Sequence, residues 1–233
     1  MINMPTALFF RSRCPSYPDH DLASAYGNSW MLAAITEAEA RGYTVIDVSG
    51  ESATFETLKS TIENNVIDVA LIFGHGGPST LTGHDLATVL EACHNDEVMS
   101  GTISYFLSCL CGQELLPSMI TKGAVWTVGY QDSFTFMVDT SYPVAEDPLA
   151  MPFKELTVAI TQKILDGATL RETWDAGIDK CNELITLLSD RPELDYAEVI
   201  QCLQHNRDCM IGLGDEEAYV LPPMRLAAVS PEA

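Results

Sequence analysis

Residues 66–77 read Val-Ile-Asp-Val-Ala-Leu-Ile-Phe-Gly-His-Gly-Gly, an apolar run that ends in a histidine flanked by glycines. A second run, Ile-Ser-Tyr-Phe-Leu-Ser at residues 103–108, ends at Cys109. Nearly continuous apolar runs of this length are typical of strands covered on both faces, as in parallel sheets. The two stretches therefore predict buried strands that each carry a chemically capable side chain at the carboxyl end.

Short β-rich runs alternate with helical patterns through the first two thirds of the chain. The predicted strands cover residues 7–10, 44–48, 66–73, 103–108 and 124–128. The predicted helices cover residues 29–41, 54–64, 83–93 and 112–122. Strand–helix–strand repetition predicts an α/β fold with a mostly parallel sheet and helices on both faces.

Helical patterns dominate after Tyr142, over residues 153–165, 170–189 and 196–205, and a short strand pair is predicted within residues 209–221. We expect one domain over residues 1–233. In this interpretation residues 1–142 form the α/β core, and residues 143–233 form a mainly helical completion that ends in the strand pair.

The chain is strongly acidic. Twelve Lys and Arg against 33 Asp and Glu give a formal net charge of −21 in 233 residues. Such a surface repels nucleic acid and anionic lipid, and no apolar run is long enough for a membrane span. The N-terminus lacks the basic region of a secretory signal, so we expect a cytoplasmic protein whose partner is a peptide or protein substrate.

Seven cysteines are present, without a Cys-x-x-Cys pair. An odd number and the expected location argue against a disulfide framework or a zinc ribbon. His20 and His75 are conceivable metal ligands, but no two-His or His-carboxylate spacing supports such a site. We therefore expect no metal and no cofactor.

His75 follows a buried strand directly. In open parallel sheets, functional groups collect beyond the carboxyl ends of the strands, and glycines there allow close approach of backbone to a ligand. A histidine in such a position is able to act as acid or base near neutral pH. The alternative is a tight turn in which the histidine has only a structural role.

Cys109 ends the next buried strand, just before a helix predicted to begin near Gly112. A thiol near a helix N-terminus loses its proton more easily. Taken alone, the cysteine is more often a packed core residue. Consecutive strands usually lie side by side, so we expect His75 and Cys109 at the same sheet edge, where the pair forms a base and a nucleophile.

The two motifs together resemble the superfamily of caspases, gingipains, clostripains, legumains and separases. Its pattern is an apolar strand ending in His-Gly, then one ending in a small residue and the nucleophilic Cys, matched by residues 73–76 and 106–109. Gly-Ala-Val-Trp-Thr-Val-Gly-Tyr at 123–130 and Gly-Leu-Gly-Asp at 212–215 are similar to later segments of bacterial members. The chain departs from caspases by lacking Gln-Ala-Cys, with Ser108 in place of alanine.

The resemblance implies a caspase-like three-layer sandwich and a cysteine endopeptidase. Cys109 would attack the scissile carbonyl, His75 would transfer protons, and the backbone N–H groups of Gly76 and Cys109 would hold the oxyanion. Cys111 is the competing nucleophile, and Cys109 is preferred because it sits at the strand end.

The sequence gives a weaker signal for substrate specificity than for the two candidate catalytic residues. Basic-specific relatives carry an acidic residue two places before the cysteine, whereas this chain has Leu107. Asp132, in the loop after the next strand, is the candidate determinant for binding a basic P1 side chain.

Two other functions remain open. A glutamine-amidotransferase-like hydrolase would also use a strand-end cysteine, but its elbow needs flanking glycines and a later histidine. A caspase-like fold kept as an inactive scaffold or regulatory module is the other alternative, because a fold does not guarantee activity.

Overall fold

The computed structural model describes residues 4–191 and 196–223. Its strands are β1 (Thr6–Arg11), β2 (Thr44–Ser49), β3 (Val69–Phe73), β4 (Thr80–Thr82), β5 (Thr88–Glu91), β6 (Ile103–Leu107), β7 (Trp126–Tyr130) and β8 (Met210–Gly214). Its α-helices are α1 (Pro18–Ala40), α2 (Phe55–Asn64), α3 (Leu115–Thr121), α4 (Met151–Leu165), α5 (Leu170–Ser189) and α6 (Ala197–Cys209).

Six strands form one sheet in the order β2-β1-β3-β6-β7-β8. The first five are parallel, and β8 pairs antiparallel with β7. The apolar runs noted in the sequence are the central strands β3 and β6, whose residues are all buried. They pair directly, with Phe73 opposite Leu107. The predicted mostly parallel α/β sheet is confirmed.

Helices cover both faces of the sheet. The apolar core on one face includes Trp30 of α1, Phe153 of α4 and Leu184 of α5. The core on the other face includes Leu58 of α2 and Met119 of α3. The predicted three-layer arrangement is therefore present, and it leaves the carboxyl ends of the parallel strands free to carry functional groups.

Glycine at position 27 sets how closely α1 approaches the sheet. A β-carbon there would lie 2.1 Å from the Phe73 ring, so the ring packs directly on the helix backbone. Interiors packed at this density transmit any added volume to their neighbours. The last residue of β3 is thus wedged against α1 just before the chain reaches His75.

The helix predicted over residues 83–93 is wrong. The chain from β3 to β6 instead contains the hairpin β4–β5 and short 3-10 turns. Leu81, Val89 and Leu90 are buried in the core beside α2, and apolar runs this short do not distinguish strand from helix. Asp85 and Leu86 have φ of 48° and 63°, which no α-helix accommodates.

Two further boundaries differ from expectation. Only the first strand of the pair predicted within residues 209–221 forms, because β8 joins the main sheet and Gly214, with φ of 118°, turns the chain away. Helix α1 begins at Pro18 rather than near residue 29, since proline is well suited to a first helical turn. His20 therefore lies in that first turn.

Within residues 4–191 and 196–223, no helix is both long and apolar enough to span a bilayer. The division of residues 1–233 into a core and a helical completion stays a prediction, and residues 1–3, 192–195 and 224–233 lie outside the described part.

Candidate active site

His75 and Cys109 occupy equivalent positions beyond two paired strands. Phe73 and Leu107 are register partners at the ends of β3 and β6, and each functional residue follows two positions later. Both side chains are partly buried. The expected placement at one sheet edge, on adjacent strands, is therefore what the structure has.

The imidazole of His75 is oriented by a backbone carbonyl. Its Nε2 lies 3.2 Å from the carbonyl oxygen of His20. Because a carbonyl only accepts hydrogen bonds, Nε2 carries the hydrogen, and Nδ1 of the neutral ring keeps its lone pair. Burial lowers the pKa of His75, since desolvation disfavours the imidazolium. The ring is thus held as a neutral base with Nδ1 available.

The thiol of Cys109 points elsewhere. Its Sγ donates to the carbonyl oxygen of Phe134 at 3.9 Å, and no hydrogen bond joins it to His75. Burial raises the pKa of Cys109 because the thiolate is poorly solvated. The expected lowering by a helix dipole is wrong, since α3 begins only at Leu115, beyond the reach of its first turn.

A strained turn follows the cysteine. Leu110 has φ of 62°, a left-handed conformation that costs a non-glycine residue about 1–3 kcal/mol. The turn is held from outside, because the Leu110 amide donates to the Asp132 carbonyl at 3.1 Å and the Gly112 amide donates to the Tyr130 carbonyl at 2.9 Å. These bonds fix the backbone of Cys109 against the end of β7.

Two backbone amides at the site have no acceptor. Among the hydrogen bonds of the described residues, neither the Gly76 nor the Cys109 N–H donates. The two segments are in close contact, since a β-carbon on Gly76 would lie 2.2 Å from the Cys109 carbonyl oxygen. Both residues are only partly buried, so these amides are not sealed in the core, and two of them beside a cysteine are able to bind an oxyanion.

Cys111, the competing nucleophile, is sealed in the core. It is fully buried, and its Sγ contacts the Ser108 hydroxyl at 3.3 Å and the Thr80 carbonyl at 3.6 Å. Burial raises the pKa of Cys111 to about 12. Its side chain therefore supports the turn beneath Gly76 rather than facing a substrate.

Asp132 is exposed, and its charge adds to the effect of burial that raises the pKa of Cys109. Its Oδ1 accepts from the Ser133 amide at 2.7 Å, and no burial desolvates its side chain. It lines a cleft of about 670 Å³ together with His205, Asp208 and Gly112. Another cleft, of about 790 Å³, lies between α1, α4 and α5.

The loop that reaches the thiol is fastened by the end of α6. Asn206 is fully buried, accepts from the Thr135 amide at 2.9 Å and donates to the Thr135 carbonyl at 2.7 Å. His205 Nε2 lies 2.8 Å from the Ser133 carbonyl. Together they fix both neighbours of Phe134, whose ring packs at 4.9 Å from Tyr130.

Sequence reasoning missed three contributors to the site: the His20 carbonyl, the Phe134 carbonyl and the Asn206 clamp. Backbone carbonyls have no sequence signature. Asn206 follows His205 in a helical pattern where an asparagine is a poor helix former, which is a weak signal for a role outside the helix. No group of three or more His, Cys, Asp or Glu in the described residues has a geometry that could hold a metal ion.

No protein-family model matches the chain, and no curated protein sequence matches it significantly. Solved structures do match. One is a complex of Porphyromonas gingivalis RgpB pro- and mature domains, with TM-score 0.58 and 11% identity, covering 94% of this chain and 51% of that one. The chain thus spans about half the length of that structure.

Caspase-1 from Spodoptera frugiperda matches with TM-score 0.52 and 8% identity, over 93% of this chain and 90% of the caspase chain. At such identities the likeness concerns the fold, and function has to be argued from the site itself.

Proposed function

We propose that this chain, which has a caspase-like fold, is a cysteine endopeptidase with Cys109 as nucleophile and His75 as acid and base. The juxtaposition of the two residues beyond paired strands carries the proposal. The two unpaired amides of Gly76 and Cys109 at the same place add the third element that acyl transfer needs.

In the proposed reaction, His75 Nδ1 takes the proton of the Cys109 thiol while Nε2 stays bonded to the His20 carbonyl. The thiolate attacks the peptide carbonyl carbon, a C–S bond forms, and the carbonyl electron pair moves onto the oxygen, where the two amides stabilise it. The C–N bond then breaks as the imidazolium gives its proton to the leaving amine. Water, deprotonated by His75, hydrolyses the thioester and regenerates the thiol.

The resting thiol has to turn before it reacts. It donates to the Phe134 carbonyl, which cannot accept a proton as a base, and burial keeps the thiol protonated. We expect a bound peptide to displace this contact and bring Sγ toward His75, since catalytic hydrogen bonds in unliganded enzymes often form only in the complex.

The second candidate is a non-catalytic module with the same fold. The absence of a thiol–imidazole hydrogen bond between these two described residues, together with the raised pKa of Cys109, favours it. The two amides of Gly76 and Cys109, which donate to no acceptor among the described residues and lie beside the cysteine, favour the enzyme.

A peptidyl acyloxymethyl ketone library, read out by mass spectrometry of the labelled cysteine, separates the two candidates. We expect labelling at Cys109, abolished in Cys109→Ala and lowered at least about 100-fold in His75→Ala. Cys111→Ser is the matched control, with retained labelling at position 109. An unlabelled Cys109 in correctly folded protein, with no hydrolysis of any peptide, would favour the scaffold.

A further inference from the structure

A second imidazole lies against His75. The rings of His20 and His75 meet edge to face, with centroids 4.9 Å apart and planes at 86°. His20 sits in the first turn of α1 and is exposed, and the Tyr17 ring packs on it at 6.4 Å. The same residue therefore supplies the carbonyl that orients His75 and a titratable ring that faces it.

Two of the carboxylates near the pair are already engaged by other residues. Asp21, one residue after His20, is held by a bidentate ion pair with Arg13 at 2.9 and 2.8 Å. Asp85 accepts two hydrogen bonds from Ser16. The other titratable groups of the elements packed here are Asp19 on α1, His84 beside Asp85, and Cys14, Cys109 and Cys111.

Two cations at this separation repel each other. Histidine is the side-chain type whose charge changes between pH 5 and 8, the range in which such an enzyme works. A charged His20 lowers the pKa of His75, adding to the larger effect of burial. In the proposed reaction His75 becomes an imidazolium when it takes the thiol proton, and a positive neighbour opposes that step.

We infer that His20 is a positioning residue that makes the dyad sensitive to acid: its neutral ring lets His75 accept the thiol proton, and its protonated ring opposes it. The inference rests on the proposed function, because it concerns the proton transfer between Cys109 and His75. It concerns the side chain of His20, whereas the orienting contact to His75 comes from the backbone.

His20→Phe tests the inference because it keeps the backbone carbonyl and an edge-to-face ring while removing the charge. The rate of Cys109 alkylation by iodoacetamide is measured from pH 5 to 8 by site-resolved mass spectrometry, which separates Cys109 from exposed Cys93. We expect the alkylation rate of the variant, divided by that of the wild type, to be about two- to fivefold higher at pH 5.5 than at pH 8. This is the effect of a unit charge about 5 Å away in a solvated site.

His94→Phe is the matched control, since His94 is exposed and shares neither a ring contact nor a hydrogen bond with His75. The alkylation rate of Cys109 in this variant, divided by the wild-type rate, is expected to be independent of pH. A pH-independent ratio for His20→Phe, or the same trend in both variants, would overturn the inference.

NMR titration of the His75 Cε1 proton separates this inference from the proposed function. In His20→Phe the apparent pKa of His75 is expected to rise, because the cationic neighbour is gone. The His75 titration is measurable even if Cys109 is never alkylated. The absence of alkylation would contradict the proposed reaction, but the role of His20 would still be tested. An unchanged His75 titration contradicts the role of His20.

Discussion

The backbone around Gly76 leaves no room for a side chain. A β-carbon there would lie 2.2 Å from the Cys109 carbonyl oxygen, 2.4 Å from the Ser108 hydroxyl and 2.8 Å from the Cys111 sulfur. At the next position, Gly77, a β-carbon would meet only the Thr80 hydroxyl, at 3.1 Å. A side chain would therefore clash with its surroundings at position 76, whereas position 77 has space for a β-carbon.

We expect Gly76→Ala to lower kcat/KM at least about 100-fold, the usual effect of losing one oxyanion donor, because the added methyl displaces the Gly76 amide from Cys109. Gly77→Ala is expected to stay within about threefold of wild type, since the Thr80 side chain is able to rotate. Peptide hydrolysis and circular dichroism of both variants give the measurement. Equal activity of the two alanine variants would contradict the placement of the oxyanion site.

Asp132 stays our predicted determinant of a basic P1 preference. Its exposed carboxylate is expected to contribute modestly, because solvated ion pairs provide at most about 1 kcal/mol. Asp132→Asn keeps an oxygen that accepts from the Ser133 amide and removes only the charge. We expect the preference for P1 Arg or Lys over an apolar residue to fall about two- to fivefold in a positional-scanning library. An unchanged preference, or wild-type preference for P1 Asp, would refute it.

At the scale of the elements, the end of α6 determines the loop that covers the thiol. Asn206 pairs with both polar groups of the Thr135 backbone, as a neighbouring strand would. Phe134, between the two fastened residues, places its ring in the aromatic cluster and its carbonyl next to Cys109. A helix that contributes no catalytic group thus sets the conformation of the nucleophile.

Asn206→Ala is expected to lower the free energy of unfolding by about 1–3 kcal/mol, because the partly buried Thr135 amide and carbonyl lose their partners. Gln201→Ala, at an exposed position of the same helix, is the control and is expected to change it by less than about 0.5 kcal/mol. Urea denaturation measures both. A neutral Asn206→Ala would show that the Thr135 groups find other partners.

Charge acts on the molecule as a whole. Thirty-three acidic side chains face twelve basic ones, and several of the basic ones are already paired, as Arg11 is with Asp47, Arg41 with Asp166 and Lys122 with Asp96. The excess that remains is negative. Self-repulsion of such an excess destabilises the compact state, and salt screens it.

We therefore expect Tm to rise by about 2–4 °C between 10 mM and 500 mM NaCl, the shift that about 1 kcal/mol produces in a chain of this size. Differential scanning calorimetry at constant pH measures it, and the same series in sucrose controls for effects other than ionic screening. A Tm that falls with NaCl would mean that the ion pairs outweigh the repulsion.

The composition and order of the apolar runs were enough to predict the parallel sheet, its helical layers and the placement of His75 and Cys109 beyond the ends of adjacent strands. These follow from local rules, because buried strands need continuous apolar residues and consecutive parallel strands lie side by side. The helix predicted over residues 83–93 was wrong because the apolar pattern there was too short to have a period. The burial of Leu81 and Val89 in the core favoured a hairpin instead.

The tautomer and the orientation of the two site residues depend on contacts between residues far apart in the chain. The tautomer of His75 follows from the His20 carbonyl, 55 residues away, and the direction of the Cys109 thiol from the Phe134 carbonyl, 25 residues away. Backbone carbonyls are identical in every residue, so no sequence pattern marks them. The raised pKa of Cys109 likewise reflects burial, which is a property of the packed chain.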